Sequence, residues 1–137
     1  MQLSRKSDYA LRAVMHFASL PKGQLASIGA VAKAQAIPRE FLAKILKDLT
    51  WAGILISYQG VTGGYKLAKA PKDVSFLQVI EAMDGPLTLN LCVEGDKCCD
   101  HYKNCRMRDF WIKEQDYLKK TLSRANFAKY KVVLKGK

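Results

Sequence analysis

Between residues 8 and 20, Leu11, Val14, Met15 and Ala18 recur at i, i+3, i+4 and i+7, which predicts an amphipathic helix closed by Pro21-Lys22-Gly23. A second short helix fits Ser27 to Ala34, with Ser27 as its N-cap and Ile28, Val31 and Ala32 turned inward. Gln35-Ala36-Ile37 is a tight link. Pro38 then suits the first position of a third helix, where a missing N–H costs nothing, and Glu40 suits the positive end of its dipole. Phe41, Leu42, Ile45, Leu46 and Leu49 form the expected buried stripe of this helix, and Gly53 ends it. The period then changes. "ILISY" and "GYKLA" are short β-like runs joined by "QGVTG", a hairpin with a glycine-rich tip. A helix from about Ser75 to Met83 follows. A long one runs from about Arg106 to Leu122, with Phe110, Trp111, Tyr117, Leu118 and Leu122 as apolar anchors. The fold class expected is mainly α with a small β-wing: a winged helix-turn-helix domain over 1–84, a loop over 85–105, and a dimerisation helix with a basic tail over 106–137.

Composition narrows the partners. With 137 residues and 49% apolar positions the chain can build one compact core. No run of about 18 apolar residues is present, so no membrane span is expected, and a cytoplasmic protein is the default. The N-terminus does not resemble a signal peptide, since Asp8, Arg12 and His16 interrupt its apolar run. A formal net charge of +11 favours an anionic partner, most often nucleic acid. Part of that charge lies in the tail from Lys113 to Lys137, so charge names a class of partner without locating the contact surface.

In a winged helix-turn-helix, the helix beginning at Pro38 would enter the major groove of double-stranded DNA. Its outward residues are Arg39, Glu40, Ala43, Lys44, Lys47 and Asp48, of which Arg39 and Lys44 have the reach and charge to contact bases or phosphates. Gln59, Gly60, Gly63, Gly64 and Lys66 make a wing able to approach phosphates closely. Ser4, Arg5 and Lys6, and the N-cap Ser27, lie at helix N-termini that favour phosphate. The bland alternative is a solvated helix face and an ordinary hairpin turn. Wing, helix pair and charge together weigh against it.

All four cysteines fall in "CVEGDKCCDHYKNC". No CxxC pair of the kind structural zinc sites use is present, and a cytosolic disulfide is improbable. Thiolates spread over a polar loop suit an iron–sulfur cluster, ahead of zinc, redox thiols or inert cysteines, in that order. His101 inside the loop reads as a solvated histidine that could also ligate.

"LSRKSDYALRAVM", "IPREFLAKILKDLTWAGIL", "GVTGGYKLAKAP", "VIEAMDGPL" and the cysteine loop, in this order, resemble the winged-helix regulator family that includes IscR, NsrR and RirA. The resemblance extends to about residue 125. It implies a homodimeric transcription regulator in which three loop cysteines hold an iron–sulfur cluster whose state alters DNA binding. Cys92 and Cys105 match the outer ligands. The spacing in similar proteins favours Cys99 as the middle one, with Cys98 as its alternative. Arg108 stands where the IscR branch has a fourth-ligand histidine, and Gln59 stands where many wings carry arginine. Asp8 matches a ligand of the NsrR branch, donated there from the partner chain. The resemblance therefore favours 4Fe–4S over 2Fe–2S and points to redox, nitric oxide or iron status as the signal. No catalytic constellation is visible. The alternatives are a cluster-free thiol-redox regulator of the same fold and, from another class, a cluster carrier that does not act on DNA.

Overall fold

The computed structural model describes residues 2–89, 100–101 and 103–130. Helices α1 (Arg5–Ser19), α2 (Ile28–Gln35) and α3 (Arg39–Trp51) are followed by strands β1 (Leu55–Tyr58) and β2 (Gly64–Leu67), then by α4 (Phe76–Asp84) and α5 (Met107–Arg124). The class is the one expected: mainly helical, with a two-stranded antiparallel wing and a long helix toward the C-terminus.

Helix α1 starts three residues before the apolar pattern, because Ser4 caps it: its hydroxyl accepts from the Ser7 N–H at 3.0 Å. Its buried face is Ala10, Ala13, Val14, Phe17 and Ala18, whereas Leu11 and Met15 pack only at the core's edge. The alanines let α1 lie close to α3 and α4, a use of small residues that a search for large apolar ones overlooks. His16, given no role by the pattern, is buried at 6% exposure, with Nδ1 3.2 Å from the Gln35 amide nitrogen.

Helix α2 is capped by Ser27, which accepts from the Ala30 N–H at 3.1 Å. The link to α3 turns on Ala36, at φ 53° and ψ 47°, the left-handed conformation in which the Ile37 N–H reaches the Ala32 carbonyl at 3.0 Å. Pro38 is the N-cap of α3 and not its first helical residue, since its ψ of 129° is not helical. Leu42, Ile45, Leu46 and Leu49 are almost fully buried. Phe41 departs from the expected stripe: it is 54% exposed and meets Tyr9 edge-on with ring centroids 6.2 Å apart. The helix ends as expected at Gly53. With φ 79° there, the Gly53 N–H reaches Thr50 O and the Ile54 N–H reaches Leu49 O, both at 3.0 Å, a Schellman closure over the buried Leu49–Ile54 contact.

The wing strands pair Leu55 with Leu67 and Tyr58 with Gly64. The chain before α2 adds a third rung, with Ala26 N–H to Tyr65 O at 3.0 Å and Tyr65 N–H to Ala26 O at 2.9 Å. That rung explains Gly64: its φ is 151°, and a Cβ would lie 2.7 Å from the Ala26 carbonyl oxygen. A Cβ on Gly63 would overlap the Tyr58 carbonyl. Both glycines serve the hairpin itself, a cause separate from approach to phosphate.

Helix α4 opens with a capping box between Ser75 and Gln78. Helix α5 lies against α4: the Gln115 side-chain oxygen accepts from the Leu89 N–H at 3.0 Å, and Lys119 lies 3.8 Å from Glu81. No residue of α5 is fully buried. After Arg124 the chain returns to the winged domain. Asn126 bridges Ser75, Phe76 N–H donates to Ala125 O at 2.9 Å, and Phe127 N–H donates to Pro71 O at 3.2 Å. Phe127 is 1% exposed, and its ring packs on Phe76 at 4.8 Å. Burying such a side chain is worth about 2–3 kcal/mol, enough to hold the return in place.

Candidate nucleic-acid interface

Along α3, Arg39, Glu40, Lys44 and Lys47 are all exposed, while Leu42, Ile45 and Leu46 between them are buried. The 3.6-residue period thus separates a core face from a cationic one. The Arg39 guanidinium lies over the start of α2, where a Cβ on Gly29 would be 3.9 Å from Nη1. The arginine thus lies within van der Waals reach of the N-terminus of α2, where Ser27 is exposed. Asp48, expected on the outward face, is half-buried and paired with Lys6 at 2.8 Å. That half-exposed ion pair engages Lys6, an expected phosphate contact, and adds only modestly to the packing of α1 on α3. Arg5 remains exposed. Ser4 is engaged as a cap and by Asp84, to whose two carboxylate oxygens its hydroxyl lies at 2.8 Å.

In the wing, Gln59 and Gly60 are exposed and Val61 projects fully into solvent at the tip. Gly60 has φ 105°, which the turn requires. Lys66 lies over the Tyr58 ring at 5.3 Å, which keeps its ammonium group at the wing surface. The outward face of α3 thus presents Arg39, Lys44 and Lys47 to solvent, beside an exposed Ser27, and the wing carries Lys66.

Of the expected metal ligands, Cys92, Cys98 and Cys99 lie outside the described residues. Cys105 is half-buried immediately before α5, with its N–H donating to the His101 carbonyl at 2.9 Å. Asp8 stands on the first turn of α1 with its side chain 61% exposed, 3.6 Å from Arg12 Nε. His101 is exposed. Among the described residues no group of three candidate ligands comes together.

Two residues matter that the sequence did not single out. Arg12 ties α1 to α2: it approaches Asp8 and sits 5.0 Å over the Tyr9 ring on its own helix, and donates from Nη1 to the Gln35 carbonyl at 3.0 Å. Asp84 receives the Ser4 and Ser7 hydroxyls and so joins the start of α1 to the end of α4. A lone arginine and a lone aspartate carry no spacing signal that could have marked them.

A helix pair joined by a tight left-handed link, a short wing and a long C-terminal helix define the winged helix-turn-helix class. Residues 3–130 match the model of the Rrf2 family, described as iron-dependent transcriptional regulators, and the chain belongs to that family. It is 35% identical to the rrf2-like HTH-type transcriptional regulator of Rhodobacter capsulatus, over 77% of this chain and 76% of that one. An HTH-type regulator of Synechocystis is 41% identical over 64% of this chain, a stretch that spans 59% of the relative's length. Among solved structures, CymR, the global cysteine regulator of B. subtilis, superposes with a TM-score of 0.76 at 23% identity, covering 93% of this chain and 94% of that one. IscR of T. potens superposes at 0.75 and 22%, covering 93% and 84%. These two likenesses establish the fold. No helix among the described residues is long and apolar enough to cross a membrane.

Proposed function

We propose that the protein is a homodimeric DNA-binding transcription regulator that senses redox, nitric oxide or iron status through an iron–sulfur cluster. The observation that carries the DNA half is the exposed cationic face of α3 beside a wing bearing Lys66. Arg39 and Lys44 would meet base edges or phosphates in the major groove, while Ser27, Arg5 and the wing would hold the backbone. Met107, Phe110 and Tyr117 of α5 are 65%, 54% and 72% exposed. Such an apolar face on a long helix suits a seam with a second copy.

The residues present fit an iron–sulfur group. Cys105 lies half-buried just before α5, a position from which its sulfur could serve as one ligand of such a group. Cys92 and Cys99 would supply the other two thiolates, with Cys98 as the alternative to Cys99. Asp8, exposed on α1, would supply an oxygen ligand to the partner's site. A 4Fe–4S cluster with three thiolates and one carboxylate is favoured, and when bound it would supply a ligand set that nitric oxide or oxygen can alter. Asp8 sits on α1, whose Ala10, Ala13 and Val14 share one core with Leu42, Ile45 and Leu46 of α3, so a change in what Asp8 binds would reach the recognition helix through that packing.

The test is anaerobic purification, followed by iron and sulfide counts and selection of DNA from a random pool. Equal iron and acid-labile sulfide, with enrichment of one sequence that weakens after exposure to air or nitric oxide, is the expected result. Colourless protein that still enriches a sequence supports the cluster-free thiol regulator. Brown protein that enriches none leaves a cluster carrier.

A further inference from the structure

A cleft of about 600 Å³ opens on the flank of the winged domain, between the turn that follows α1 and the chain leaving β2. Its apolar lining comes from Phe17, Leu20, Leu67 and Pro71. Lys22, Lys66 and Lys69 also line it, and no acidic side chain among the described residues does. Among those residues, neither Lys22 nor Lys69 pairs with a carboxylate. A concave, mainly apolar site of this size with a few convergent polar groups has the make-up of a small-molecule site. The charge decides the class of ligand. The last turn of α1 borders the cleft and contributes roughly half a negative charge, against the exposed Lys22 and Lys69 at its rim, while the Lys66 ammonium lies over the Tyr58 ring.

We propose that this cleft binds a small amphipathic monoanion, a carboxylate on an aliphatic or aryl body. The apolar body would lie on Phe17, Leu20 and Leu67, and the carboxylate would accept from Lys22 and Lys69. The occupant would touch both the α1–α2 turn and β2. These elements are already joined by the Ala26–Tyr65 rung, so a seated ligand would brace the base of the wing. Binding here does not depend on the regulator reading or on a cluster.

The test uses the full chain, labelled with ¹⁵N and titrated with sodium octanoate, with 1-octanol as the uncharged comparator. Saturable shifts of the Gly23, Ala68 and Lys69 amides are expected. The Lys22→Gln/Lys69→Gln double variant should weaken octanoate by about threefold or more, since each solvent-exposed ion pair is worth up to about fivefold in affinity. The same variant should leave octanol unchanged. Three results overturn the proposal: no saturable shift, shifts centred on the exposed α5 residues Phe110 and Tyr117, or an octanoate affinity indifferent to the double variant.

Discussion

The Ser7 hydroxyl, on a residue with no solvent exposure, donates to a carboxylate oxygen of Asp84 at 2.6 Å, across 77 residues of sequence. Ser4 reaches the same carboxylate. The start of α1 and the end of α4 therefore share one acceptor. Asp84→Ala leaves a buried hydroxyl without its partner and should cost about 1–3 kcal/mol. Ser7→Ala removes the buried donor along with the bond and should cost less. Urea unfolding of both variants measures the order. A costlier Ser7→Ala would mean that packing, not the bond, holds this junction.

Ala36 occupies a left-handed position that costs a residue with a Cβ about 1–2 kcal/mol. Ala36→Gly relieves that strain and loses part of the gain to unfolded-chain entropy, leaving a net stabilisation of up to about 1 kcal/mol. Ala36→Val should destabilise, since branching at Cβ makes positive φ costlier still. Thermal melts of the pair should move in opposite directions.

Arg39 and Lys66 should separate by specificity. If Arg39 reads a base, Arg39→Ala weakens a selected site by about 1–3 kcal/mol and random DNA by less. If Lys66 meets a phosphate, Lys66→Ala should weaken both alike and flatten the salt dependence of binding. Fluorescence anisotropy on both DNAs at several salt concentrations decides it, and equal losses for Arg39→Ala make that residue a phosphate contact too.

Iron retention should sort the thiols. Cys92→Ala, Cys99→Ala and Cys105→Ala should each lose iron and sulfide on anaerobic purification, and Cys98→Ala should keep most of both. A colourless Cys98→Ala beside a brown Cys99→Ala reverses the assignment of the middle ligand. Asp8→Ala should stay brown with a changed visible spectrum, since three thiolates remain.

Phe127→Ala should cost about 3–5 kcal/mol, the usual range for emptying a buried aromatic site. The loss should appear in amide hydrogen exchange of the buried α3 and α4 residues Leu46 and Val79, although the substitution lies beyond α5. A change confined to α5 would contradict the packing of Phe127 on Phe76.

Periodicity made the helix pair and the wing legible, because Leu42, Ile45, Leu46 and Leu49 recur on one buried face and Gly53 and the glycines of the hairpin punctuate the chain; the last helix was legible from its length and apolar spacing, although none of its residues is fully buried. Periodicity failed where a position's environment comes from a distant segment. Phe41 sits in the apolar stripe of α3 by spacing, yet it faces outward onto Tyr9. Gly64 looks like part of a phosphate-approaching turn, yet its lack of a Cβ is required by Ala26, 38 positions earlier in the numbering. The cationic positions of α3 could be read from the chain, but the ion pair of Lys6 with Asp48 could not, since nothing local joins them.

The return of Phe127 to Pro71 and Phe76 also sets what can be exchanged between relatives. A chimera cut after α4, taking its C-terminal part from another family member, would place a foreign residue against Phe76 and a foreign bridge partner beside Ser75. The winged domain and the α5 arm meet again past the arm's end, so substitutions on the two sides of that contact are coupled. A productive recombinant has to carry the 71–76 segment along with the last helix, or rebuild that pocket around its new occupant.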